Sequence, residues 1–166
     1  MIENEEFIIT RTFNASRKLL FKVHTDPRDM ANWFGPKRLK TEVYKFDLSP
    51  GGLVHYSLTA PEGHQVWGRF VYREIVLNEK IVFVSSFSDK DAAISRHPMI
   101  ATWPLEVLCT VIFTKQKAQT TLTLKAIPIN ANEIERKTFE EGHREIQKGW
   151  TATFDHLEDY LDFVQK

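Results

Sequence analysis

Within the run 120–127, apolar and polar residues alternate one for one from 121 to 126, with Leu122, Leu124 and Ala126 set against Thr121, Thr123 and Lys125. A period of two is that of a strand with one dry face and one wet face. Runs rich in β-branched and aromatic residues at 7–13, 39–48, 53–59, 66–76, 81–87 and 103–114 extend the pattern. Turn-forming stretches separate them: Pro50-Gly51-Gly52, Pro61-Glu62-Gly63, Leu77-Asn78-Glu79-Lys80 and the polar Lys115-Gln116-Lys117-Ala118. Successive strands on short links predict an antiparallel meander of six to seven strands.

The period changes to that of a helix in two regions. After the first strand, Ser16 can cap a helix over 17–24 that gathers Leu19, Leu20 and Val23 on one side. Asp26-Pro27 starts a second short helix carrying Met30, Trp33 and Phe34, and Gly35-Pro36 ends it. Near the other end, His143, Ile146, Trp150, Phe154, Leu157, Leu161 and Val164 recur at steps of three and four. Asn132 with Glu135 three residues on has the form of a capping box, so one helix is expected from 132 to 164. Its apolar stripe has to be buried, and the sheet offers one apolar face. The expected fold is α+β, a curved antiparallel sheet wrapped around a long C-terminal helix. The segment 88–102, with Asp89, Lys90, Asp91, Ser95 and Pro98, reads as a surface loop.

At 166 residues, one domain over 1–166 is expected, able to bury roughly 70% of its unfolded surface without a disulfide or metal. Twelve Phe and four Trp supply enough aromatic surface to line a cavity as well as fill a core. Lys plus Arg and Asp plus Glu balance at 22 each, which argues against nucleic acid and anionic membrane surfaces as partners. Cys109 is the single cysteine, the acidic Met1-Ile2-Glu3-Asn4-Glu5-Glu6 start lacks an apolar leader, and the longest apolar run is four residues. A cytoplasmic location is therefore expected.

Catalytic and metal motifs are sparse. Among six histidines only His143, three residues after Glu140, has a metal-site spacing, and that spacing needs a second copy. No metal or cofactor is expected. Cys109 sits in a Val- and Leu-rich strand, as a small buried hydrophobe would. Candidate ligand contacts follow from strand parity. Phe70 and Tyr72 share a face with Gly68, opposite Arg69 and Arg73, and so should point inward. Gly68 is expected to leave open space beside Phe70. Phe83 and Phe87 share a face with Ser85, and Trp103 and Phe113 share one with Cys109. Around His55 and Ser57 the alternation leaves the inward set open, and His55 joins the candidates. From the helices, Trp33 and Phe34 should stand near the mouth, and Trp150 and Phe154 on the lid side. Core packing is the competing explanation for each aromatic.

Several motifs in order resemble a known family: 11–21 followed by Thr25-Asp26-Pro27, Trp33-Phe34-Gly35-Pro36, Asp47-Leu48-Ser49-Pro50-Gly51-Gly52, Tyr72-Arg73-Glu74-Ile75-Val76 and 142–150. They look like proteins similar to the activator of the ninety-kilodalton heat-shock chaperone ATPase, within the START-like (SRPBCC) superfamily. The resemblance implies the helix-grip fold with a deep, largely apolar cavity. The namesake cochaperone has a further N-terminal domain for which 166 residues leave no room, so shape rather than chaperone activation is expected to carry over. Three functions follow: binding of a small hydrophobic or aromatic molecule, a cyclase- or hydrolase-type enzyme using His55 or Tyr72 as acid or base, or a cochaperone-like domain that contacts a chaperone. The absence of a nucleophile or acid–base motif favours binding over catalysis. Glu106 could join a catalytic set only if a bulge turned it inward.

Overall fold

A computed structural model describes residues 6–166; the acidic opening from Met1 to Glu5 lies outside them. Seven strands form one antiparallel sheet in the order β1-β7-β6-β5-β4-β3-β2. They are β1 (Phe7–Phe13), β2 (Lys40–Phe46), β3 (Leu53–Thr59), β4 (Gln65–Val76), β5 (Lys80–Ser88), β6 (Glu106–Gln116) and β7 (Gln119–Ile129). The first two strands thus occupy opposite edges, and the chain crosses between them through α1 (Arg17–His24) and α2 (Pro27–Trp33). The Ser16 hydroxyl accepts from the Leu19 amide at 3.1 Å and the Asp26 carboxylate from the Arg28 amide at 2.8 Å, so both helices begin on side-chain caps. Gly35, at φ +87°, turns the chain out of α2.

The expected single terminal helix is instead two, α3 (Glu133–Glu141) and α4 (His143–Val164), divided at Gly142. The Asn132–Glu135 capping box is present at the start of α3. The reason for the division is contact: Trp103 packs so closely on Gly142 that a Cβ there would stand 2.9 Å from its ring. Trp103 also precedes β6 rather than belonging to it, because Pro104 has no amide to give the ladder. In β2 a bulge at Tyr44 turns that side chain to the outer face, while Val43 and Phe46 pack against the core.

The C-terminal half of α4 is held tightly. Phe154 meets Phe13 edge-on with ring centroids 5.6 Å apart, and Leu157 and Leu161 are fully buried. Outside this contact, Arg11 of β1 pairs with Asp155 at 2.7 Å and Glu158 at 3.2 Å. Buried Asp29 accepts from Lys22 at 2.7 Å and from the Tyr160 hydroxyl, tying α1, α2 and α4 together. The backbone of α4 comes close to α2 and β1, while its first half stands off the middle of the sheet.

Among the described residues no helix is long and apolar enough to cross a membrane. Replacing Phe154 with Ala should cost about 3–5 kcal/mol, because tight packing surrounds it. Trp150, which borders open space, should cost less on the same change, about 1–3 kcal/mol. Urea unfolding of both variants checks the ordering.

Candidate ligand-binding cavity

The first half of α4 and the inner face of β3, β4, β5 and β6 border a cavity of about 350 Å³ that opens to solvent. Strand register builds its floor. Tyr56, Gly68 and Phe87 lie in one row across three strands, and Phe70, Ser85 and Val107 in the next. Ile146, Trp150 and Thr153 face it from α4, with Gly149 beside them. Trp103 closes one end and packs on Phe139 at 5.4 Å. Phe34 closes the other, with ring centroids 5.0 Å from Tyr56, 5.6 Å from Phe70 and 6.2 Å from Trp150. Behind Phe34 lies a second space of about 40 Å³, room for a water molecule or two but not for a ligand.

The sequence-predicted residues divide between these spaces. Phe34 and Trp150 border both, and Phe87 and Trp103 border the larger one. Phe70, Tyr72, Phe83 and Phe154 line the smaller space. Trp33 does so too. It lies deep rather than at a mouth, with its indole N–H donating to the Val23 carbonyl at 2.9 Å. Phe113 borders neither space, because its ring is enclosed by Phe21 and His24 at 5.6 and 5.1 Å.

His55 faces away from both spaces. Val54 and Tyr56 point inward, so His55 between them is on the outer face, stacked on Trp67 at 5.3 Å and donating to the Asp89 carbonyl at 3.2 Å. There it helps hold the loop after β5, which Arg69 also anchors through the Ala92 carbonyl at 2.7 Å. Glu106 keeps its outward parity and accepts from Asn130 at 3.1 Å.

Gly68 does not leave empty space. A Cβ there would stand 2.3 Å from the Tyr56 hydroxyl oxygen, so the glycine makes room for the phenol of its cross-strand neighbour. Tyr56 is the main residue that strand parity missed. Tyr56 alternates with polar His55 and Ser57 in the company of Val54 and Leu58, and that apolar set, which the fold turns inward, was the available signal. Thr153 and Gly149 were missed because small residues at the border of a helical stripe carry no apolar signal.

No carboxylate, ammonium, guanidinium or imidazole lines the larger cavity. The polar side chains among its lining residues are the hydroxyls of Tyr56, Ser85, Ser86 and Thr153 and the indoles of Trp67, Trp103 and Trp150, and burial pushes the Tyr56 phenol far up, which keeps it neutral. Burial likewise pushes the Cys109 thiol up to about 12, so it is a poor nucleophile at neutral pH. Glu140 and His143 lie on opposite sides of the helix break, and no group of three metal-ligating side chains occurs among the described residues.

Residues 14–162 match the family model described as Activator of Hsp90 ATPase homolog 1-like protein. No curated protein matches the chain. Among solved structures, a Mycobacterium smegmatis protein aligns at TM-score 0.80 and 19% identity, over 99% of this chain and 95% of that one. An Arthrobacter aurescens protein aligns at 0.80 and 20%, over 98% and 88%. A Nitrosomonas europaea protein aligns at 0.75 and 22%, over 99% of each. At these identities the likeness is one of fold.

Beside the smaller space, the His24 Nδ1–H donates to the Leu20 carbonyl at 2.8 Å, and the ring packs on Trp33 at 4.7 Å. What surface it keeps borders that space. Burial lowers its pKa from 6.5 to about 4. The folded state then keeps His24 neutral over a range in which the unfolded chain protonates it. Its contribution is whole above about 6.5 and fades as pH falls toward 4, a loss of about 3 kcal/mol. Urea unfolding at pH 7 and pH 4.5 should show this drop, and His24→Leu should remove that part of it.

Proposed function

The chain belongs to the Activator of Hsp90 ATPase homolog 1-like family, and from that premise we propose that it binds a small hydrophobic or aromatic molecule in the 350 Å³ cavity under α4. The observation that carries this reading is the lining itself. Aromatic and aliphatic walls with a few neutral hydroxyls offer burial and orientation, and the volume is at the lower end for small-molecule sites. Catalysis by acid and base would need proton-transfer groups within reach of one another. The cavity's lining residues carry four hydroxyls that do not hydrogen-bond to each other, and His55 lies on the other face of the sheet.

A protein-interaction role draws some support from one place, where Ile94, Met99 and Ile100 are exposed on the segment between β5 and β6. Three side chains make a small patch, and a family description fixes no activity for a member. An open cavity favours the small ligand.

The neutral dye N-phenyl-1-naphthylamine, which brightens on leaving water, should bind the native protein with Kd of about 10 µM. Val107→Phe, which fills the larger cavity, should weaken it at least about tenfold, while Phe83→Leu beside the smaller space should change it less than about twofold. Equal binding to Val107→Phe would put the ligand elsewhere.

A further inference from the structure

The Tyr56 hydroxyl has an unusual position. Its ring is fixed between Phe34 at 5.0 Å and Phe70 at 5.2 Å, and its oxygen lies over the backbone of Gly68. It makes no hydrogen bond with any described residue, although it can both donate and accept. Ser85, Ser86 and Thr153 are likewise without side-chain hydrogen bonds, but their short, rotatable hydroxyls do not fix a direction. A rigidly held phenol that makes no hydrogen bond to the described residues and stays accessible from the cavity is free to donate to, or accept from, whatever enters.

Charge narrows the occupant further. No cationic side chain lines the cavity, and neither does a carboxylate. An ionised group drawn inside would lose its water and find no counter-charge, which is far more costly than burying a neutral hydroxyl that gains a hydrogen bond. The walls are ring faces and edges from Phe34, Phe87, Trp103 and Trp150, which pair favourably with another aromatic ring.

We propose that the occupant is an uncharged aromatic molecule carrying one hydrogen-bonding group, which the Tyr56 hydroxyl engages, and that the cavity rejects the ionised carboxylate of the same shape. The proposal rests on the ligand-binding reading and makes Tyr56 its specificity-determining residue.

The test compares 2-naphthol, naphthalene and 2-naphthoate by titration calorimetry at pH 7, on the full chain and on Tyr56→Phe. In the unaltered protein 2-naphthol should bind about fivefold tighter than naphthalene, as one hydrogen bond allows. It should bind at least about thirtyfold tighter than 2-naphthoate. Tyr56→Phe should bring 2-naphthol down to the level of naphthalene and leave naphthalene unchanged. Naphthoate within about threefold of naphthol, or a naphthol preference that survives Tyr56→Phe, would overturn the proposal while leaving the cavity as a binding site. No binding by any of the three would overturn both. Should Tyr56→Phe fail to fold, the ranking of the three compounds on the unaltered protein decides.

Discussion

Phe154 against Phe13, with Leu157 and Leu161 buried beside them, clamps the C-terminal half of α4 to the edge of the sheet. Asp29, held between Lys22 and Tyr160, fixes the same half to the two short helices. The whole helix is 22 residues, about 33 Å, and beyond the clamp its first half extends over a sheet that twists away beneath it. The two surfaces cannot stay in contact over the whole length. Near the clamp the gap is filled by Phe70, Tyr72, Phe83 and Trp33, leaving about 40 Å³; farther along, under Ile146 and Trp150, about 350 Å³ stays open.

Two close approaches to glycine decide the shape of the open part. Gly68 gives way to the Tyr56 phenol, and Gly142 gives way to the Trp103 ring. In each case an aromatic side chain lies flat on backbone where a Cβ would forbid it. The first sets a hydroxyl on the cavity wall. The second breaks the terminal helix, which lets α3 fold over Trp103 and close that end. Glycines that weaken a strand and a helix locally thus position the two aromatics that bound the cavity.

Most of the architecture was legible in the sequence because it follows from periodicity. Alternation in β7, the three–four stripe of α4 and the capped starts of α1, α2 and α3 are local signals, and each produced its element. What sequence could not supply was pairing. Whether Gly142 interrupts a helix depends on Trp103, 39 positions away in the chain and in contact only in the fold. Whether His55 or Tyr56 faces inward depends on the neighbouring strand, since both are large and amphipathic. Parity chose the correct face of β4 and β5, yet put the cavity one row too far along, because it does not say where the helix leaves the sheet.

The central claim is that the space beneath the first half of α4 is real and unfilled. Ser85 lies on its floor with its side chain toward the helix. Replacing it with Leu adds bulk that has somewhere to go only if the space is there. The unfolding free energy of Ser85→Leu is the direct measurement. If the cavity is open, stability should stay level or rise by about 1 kcal/mol from the added apolar burial. A fall of about 1–3 kcal/mol, the usual cost of overpacking a filled core, would contradict the account.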